Sequence, residues 1–309
     1  MLNISSKAKA WLAFGVVSFF WGTTYLAIRI GVAHFPPLLF AGIRNLLAGL
    51  ILCTVFLLKG AKLPSGKELK NILIIGFFIL FLCNGTLTWS EVYIDSGLVA
   101  MICSLFPFLV AIFSLIMNKN EKLSLMLIAG LFLGLIGQTL IFGFNIDKIL
   151  LGSNYIGIGI LLFSQLTGAY GTVYQRKHHG NTNPFFAAGI QMLFAGILLC
   201  ISATFKGELS QKLIFDGDVI WSLLYLVLAG SILTYSCYMY ALKKIPATAF
   251  SLYAYINTLV AVLLGWFILN ENRNPYVFIA IGITFMGGLV VRKSMRKPKN
   301  PLSLLTKDS

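Results

Sequence analysis

Acidic side chains are nearly missing from this chain: Asp and Glu together number 10 among 309 residues, and all charged residues make up only 11%. Soluble domains carry about 25% charged residues, so a water-soluble enzyme or binding module is excluded at the outset. Histidine is equally thin, with His34, His178 and His179 as its three copies. The five cysteines, Cys53, Cys83, Cys103, Cys200 and Cys237, all fall within apolar runs and show neither a disulfide framework nor metal-ligand spacing. The makings of a metal site, a cofactor pocket or a nucleophilic triad are therefore lacking. An intramembrane enzyme would need paired acids or a Ser/His/Asp set at membrane depth, and neither is present.

What the chain does have is apolar length. Hydrophobic residues make up 58% and the mean hydropathy is +0.87. A helix crossing the hydrocarbon core needs about 20 mainly apolar residues. Ten such runs are read near residues 11 to 29, 37 to 58, 71 to 93, 96 to 117, 123 to 144, 154 to 175, 183 to 205, 219 to 242, 246 to 269 and 275 to 292. The expected fold is thus an all-α integral membrane protein of ten transmembrane helices. The first run follows Lys7 and Lys9 as a signal peptide would, but it is long and no small-residue cleavage site follows, so it is read as a retained span.

The net charge of +14 is a topology signal. Lys and Arg collect in short cytoplasmic loops. With the N-terminus inside, cytoplasmic segments hold eighteen of the 24 basic residues and outer segments hold Lys148, Lys206, Lys212 and Arg273, leaving Arg29 and Arg44 in or at the ends of spans. This places both termini in the cytoplasm of a multi-pass cell-membrane protein. It also argues against a nucleic-acid partner, because the charges form no single patch. The tail at 293–309 reads as a basic cytoplasmic, lipid-facing segment.

Sliding the chain on itself reveals a repeat. Residues 37 to 53 lie over 184 to 200 with nine of seventeen positions identical, among them Pro37/Pro184, Gly42/Gly189, Gly49/Gly196 and Cys53/Cys200. At an offset of 150, Ser96 to Pro107 lies over Pro246 to Asn257. The chain therefore divides into a first five-helix repeat at 1–150 and a second at 151–292. Five is odd, so the second repeat enters the membrane inverted. Inverted repeats related by an axis in the membrane plane are a transporter architecture, with substrate held where the halves meet.

Several of these residues carry a resemblance. Trp21-Gly22-Thr23-Thr24-Tyr25, Ile43-Arg44-Asn45-Leu46-Leu47-Ala48 and the spacing of Pro107 and Glu121 resemble the EamA family of the drug/metabolite transporter superfamily. Ile245-Pro246-Ala247, Asn270-Glu271 and the glycine-rich last span from Gly282 to Gly288 extend the likeness to the second half. The resemblance implies an exporter of amino acids, metabolites or drugs with a cavity between the halves. Two departures stand out: Asn257 occupies the place where Pro107 predicts a proline, and Gln191 stands opposite Arg44.

Polar groups are costly in a bilayer and tend to face a cavity or one another. Arg44, about seven residues below the outer end of its span, needs a partner. Glu91, the one acidic residue inside a span, is placed either to pair with it as a gating or structural ion pair or to share a zwitterionic solute with it. Trp21, Thr24, Tyr25, Asn84, Trp89, Gln165, Tyr170, Tyr235, Tyr253 and Asn257 complete the candidate substrate-binding set. Pro107, mid-span, is the candidate hinge.

The functional expectation is a secondary transporter moving amino acids or small amphipathic metabolites by alternating access. Its partners are the solute and the lipid bilayer. Glu91 is a single, shallow carboxylate, which favours facilitated diffusion or exchange, with efflux as the direction the resemblance implies; the alternative is a proton-coupled multidrug or metabolite exporter using Glu91. The absence of a deep basic cluster argues against sugar phosphates.

Overall fold

The computed structural model describes residues 5–94, 96–118, 124–142, 155–268 and 277–294. Among these the regular elements are all helices. The expected division at 150/151, the pairs Asn120-Glu121 and Asn270-Glu271, and the tail from residue 295 lie outside the described residues.

Ten rods follow one another among the described residues: α1 (Ser6–His34), α2 (Pro37–Leu58), α3 (Gly66–Ser90), α4 in two pieces (Ser96–Cys103 and Phe106–Met117), α5 (Leu125–Phe142), α6 (Tyr155–Lys177), α7 (Pro184–Phe205), α8 (Gly217–Leu242), α9 in two pieces (Ala247–Phe250 and Tyr253–Ile268) and α10 (Val277–Ser294). Eight of them are by themselves long and apolar enough to cross a membrane; α5 and α10 contribute the shorter apolar stretches Leu125–Leu140 and Phe278–Val291. Large apolar side chains such as Phe19, Leu50, Leu228 and Phe285 stand exposed on the outside. A water-facing surface would not tolerate such a belt, whereas hydrocarbon solvates it.

The ends of the rods follow from local chemistry. Ser5 accepts from Ala8 N at 3.2 Å and starts α1. Prolines at Pro37 and Pro184 open α2 and α7, where a missing N–H costs nothing. Gly60, at φ 79°, turns the chain after α2.

The two halves pack in matching roles. α2 lies on α7, α5 on α10, α1 against α8 and α9, and α6 against α3 and α4. The repeated glycines meet at the α2/α7 contact: a Cβ on Gly42 would lie 2.6 Å from Cys200 Sγ, one on Gly189 would lie 2.8 Å from Leu52 Cβ, and one on Gly196 would lie 2.6 Å from Leu46 N. The α5/α10 pair repeats the device, with a Cβ on Gly287 falling 2.6 Å from Gly134 N. Without a hydrophobic drive between helices in lipid, such close backbone approach is what holds them.

Each half also carries the same irregularities. α3 widens to a π-helix over Phe77–Asn84 and α8 does so over Leu226–Leu233. α4 breaks at Ser104-Leu105 and α9 at Ser251-Leu252. These breaks correct the expected register of the fourth helices. They align Ser104-Leu105-Phe106-Pro107-Phe108 with Ser251-Leu252-Tyr253-Ala254-Tyr255, the same offset of 147 that relates Pro37 to Pro184 (184 − 37). Ala254, not Asn257, is therefore the counterpart of Pro107. The break itself does not depend on proline, since α9 breaks without one. Pro107 sits in the first turn of the second piece, and both breaks follow a serine whose hydroxyl bonds the carbonyl three residues back: Ser104 to Met101 at 2.5 Å and Ser251 to Thr248 at 2.9 Å.

The loops collect at two rims. The basic rim gathers Lys59, Lys67, Lys70, Lys177, Lys243 and Lys244, at the ends of α2, α6 and α8 and the start of α3. Here Glu68 Oε1 accepts from Thr182 N at 2.7 Å and Thr182 Oγ1 at 2.6 Å, and Lys243 Nζ donates to Gly180 O at 2.9 Å. At the opposite rim the buried Glu208 accepts from Leu39 N at 2.9 Å, in the first turn of α2 where a carboxylate is favoured. His34 Nδ1 lies 2.6 Å from Asp216 Oδ2. The N–H of Val219, with His34 adding to it, holds the Asp216 carboxyl below its ordinary range. A carboxylate from each half thus ties the chain near the start of α7 or α2 in the other.

Replacing Gly49 tests the α2/α7 contact. A Cβ there would meet the Leu193 main chain, its Cα at 2.8 Å, so Gly49→Ala must push α2 and α7 apart. We expect a loss of about 1–3 kcal/mol, read as a lower melting temperature in detergent. Gly15→Ala, with open space around it, should leave the melt unchanged.

Candidate functional site

A central cavity of about 100 Å³ lies where the halves meet. It is of the order of cavities that admit a benzene-sized guest. The first half supplies residues from α1 to α4, and the second from α6, α8 and α9. Nine candidate residues come together on its wall: Trp21, Thr24, Tyr25, Arg44, Asn84, Gln165, Tyr235, Tyr253 and Asn257.

The π-helical turns shape this wall. In α8 the widened turn leaves Gly230 O to accept from Trp21 Nε1 at 3.2 Å, and Arg44 Nε donates to Ser231 Oγ at 2.8 Å. In α3 the equivalent carbonyl, Cys83 O, accepts from Ser164 Oγ at 2.8 Å; 83 + 147 gives 230. Each half thus offers a π-segment carbonyl to the first helix of the other. Wide turns of this kind recur at functional sites because they release backbone groups from the helical ladder.

Arg44 is the one charged side chain among the lining residues. It is 5% exposed. The neighbouring Asn45 donates to Ala41 O at 2.8 Å and reaches Asn84 Oδ1 at 3.4 Å. Opposite stand the aromatics: Trp21 packs on Tyr238 and Tyr253 with ring centroids 5.2 and 5.1 Å away, and Tyr235 stacks on Tyr238 at 5.4 Å with planes 10° apart. Asn257, with its amide nitrogen turned inward to the backbone, donates to Ser18 O at 2.6 Å and Tyr253 O at 3.1 Å.

Three expectations come out differently. Trp89 is not on the cavity wall; Lys206 Nζ sits 3.9 Å above its ring at the opposite rim. Tyr170 faces away into an aromatic series with Phe78, at 4.6 Å, and Tyr174. Arg44 and Glu91 form no direct pair: Arg44 is engaged with Ser231, while Glu91 is fully buried with both carboxylate oxygens lacking a hydrogen-bond partner. Arg29 donates to the Glu91 main-chain carbonyl. The carboxylate and the guanidinium stand on different helices, so the spacing along the chain did not fix their separation.

Sequence reasoning missed Thr172, which lines the cavity with its hydroxyl 2.7 Å from that of Tyr238. The signal was present: Gln165, Gly168 and Thr172 lie three and four residues apart and share one face of α6. Cys83 and Cys103 also line the cavity.

Built from two interlocked five-helix halves around a shared polar and aromatic cavity, the molecule has the form of a membrane transporter. The chain belongs to the EamA-like transporter family, whose model matches residues 9–143 and 155–292. Among its relatives, "Uncharacterized inner membrane transporter YedA" of Escherichia coli (strain K12) is 34% identical over 276 residues, covering 88% of this chain and 86% of the relative. "Protein PagO" of Salmonella typhimurium is 30% identical over 286 residues, covering 90% and 92%. "Uncharacterized transporter YoaV" of Bacillus subtilis is 26% identical over 269 residues, covering 85% and 90%. A solved crystal structure superposes with a TM-score of 0.76 at 17% identity over 93% of this chain and 99% of its own, a likeness of fold alone.

The native thiols test the cavity. With Cys53, Cys200 and Cys237 replaced by alanine, small methanethiosulfonate reagents should modify Cys83 and Cys103, and a bound solute should slow both. Modification at an unchanged rate in the presence of a solute that raises the melting temperature would place binding elsewhere.

Proposed function

We propose that this protein is a secondary transporter that moves amino acids or small amphipathic metabolites across the inner or plasma membrane by alternating access. The observation that carries the reading is the cavity between the halves, which joins one guanidinium, a set of amides and an aromatic wall. Arg44 takes an anionic group of the solute, Asn84, Gln165 and Asn257 take polar edges, and Trp21, Tyr235 and Tyr253 take an apolar body. The packing of each half against the other through matched helices lets the halves exchange conformations, closing one rim as the other opens.

The gathering of Lys and Arg at one rim supports an orientation with that rim, and both chain ends, in the cytoplasm. Movement is by facilitated diffusion or exchange, and outward when the solute is concentrated inside. One observation favours a second reading, proton coupling. Glu91 is fully buried and neither carboxylate oxygen has a hydrogen-bond partner, an arrangement that membrane proteins keep mainly where the group has a task. Arg29 and Tyr25 on α1, Arg44 on α2 and Cys103 on α4 are the charged and titratable groups that act on it. Proton loss would draw Glu91 towards a guanidinium, and proton gain would release it.

The test begins with a thermal-shift screen of purified protein against amino acids, nucleosides and amphipathic drugs. A solute at a hundred times its Kd adds about 2.7 kcal/mol. One amino-acid or metabolite class should raise the melt, and Arg44→Ala should abolish that rise while remaining folded. A rise that survives Arg44→Ala would contradict the role given to the guanidinium. In liposomes, counterflow of that solute should proceed without a pH gradient. If instead a pH gradient drives accumulation in the wild type and not in Glu91→Gln, coupling replaces facilitation.

A further inference from the structure

The central cavity is separated from the basic rim by a polar partition. Beyond Thr172 and Tyr235, towards that rim, a second void of about 30 Å³ lies between α3, α6, α7 and α8. Gln175, Gln191 and Met239 line its inner portion, and Glu68 and Lys243 its mouth. These positions continue the faces that line the central cavity, since Gln175 follows Thr172 by three residues on α6 and Met239 follows Tyr235 by four on α8.

The two glutamines are incompletely satisfied in complementary ways. Gln191 is fully buried; its Oε1 accepts from Tyr235 OH at 2.6 Å, while its Nε2 has no partner. Gln175 is 3% exposed; its Nε2 contacts Met239 Sδ at 2.8 Å, while its Oε1 has no partner. Two residues that line one void thus carry an unmet donor and an unmet acceptor, both sealed by their neighbours in this conformation. Buried polar atoms without partners cost stability, and apolar side chains of the same shape would avoid that cost. The mouth repeats the pattern with full charges, Lys243 as cation and Glu68 as anion.

We infer that this void is a second solute site on the path between the central cavity and the basic rim, and that it receives the zwitterionic head group of an α-amino acid. The carboxylate faces Gln191 Nε2 and Lys243, and the ammonium faces Gln175 Oε1 and Glu68. Tyr235 is the partition, because it lines the central cavity and holds Gln191 at once. The void widens to take the head group when the Tyr235 to Gln191 bond opens. This inference rests on the transport reading above.

The test measures occupancy without requiring transport. In a chain freed of its native cysteines, Ala187→Cys places a thiol on the wall of the void, and its modification by methyl methanethiosulfonate is followed in nanodiscs. The probes are the twenty proteinogenic L-amino acids, one at a time. At least one should slow the reaction, and Gln191→Leu or, independently, Gln175→Leu should raise the concentration needed by about three- to tenfold, as expected for one lost hydrogen bond. The same amino acid should still protect a chain keeping Cys83 alone, with either substitution present. If no amino acid slows modification, or if both substitutions leave protection unchanged, the second site is wrong. Counterflow separates this from the parent reading: protection without counterflow removes the transport and keeps the site, and counterflow without protection does the reverse.

Discussion

The contact of α2 on α7 is the constraint on which the other features depend. Gly42, Gly49, Gly189 and Gly196 bring the two backbones together, and this contact is made by the same segment of each repeat. It fixes where the halves can meet, and so where the π-segments of α3 and α8 come to lie. Those segments then carry Asn84 to the cavity wall and Ser231 to Arg44, which lines it from the helix that also carries Gly42 and Gly49. A duplicated glycine pattern is thus converted into a shared cavity through packing alone.

The same logic assigns different work to different helices. The described residues of α5 and α10 pack on each other and line neither void. α7 adds nothing to the central cavity but gives Gln191 to the void at the basic rim. The similar halves therefore line unlike surfaces: Arg44 meets Ser231, and its counterpart Gln191 meets Tyr235. An asymmetric lining thus sits on a frame of two similar halves.

Much of this was legible in the chain itself. Spans were visible because apolar length is a one-dimensional quantity. The α2/α7 repeat was visible because proline, glycine and cysteine are rare enough for their matches to mean something. The fourth helices were aligned three residues out of register, since Leu-rich and Phe-rich text matches itself at several offsets and the true marker, a serine that bonds its own helix, is inconspicuous. Nine lining residues were recoverable from the cost of burying polar groups at depth. Trp89 and Tyr170 were not separable from them, because residue type does not state which way a helix faces. The absence of a direct Arg44 to Glu91 bond likewise depends on the rotation of two helices, which packing sets.

The central claim is that the halves exchange conformations about the cavity. Spin-label distances across the two rims test it most directly, using Lys67 with Asn181 at the basic rim and His34 with Leu209 at the opposite rim, each pair as cysteines in an otherwise cysteine-free chain. The account predicts reciprocal change on solute addition, one rim lengthening as the other shortens. Two rims that stay fixed, or that open together, would contradict it.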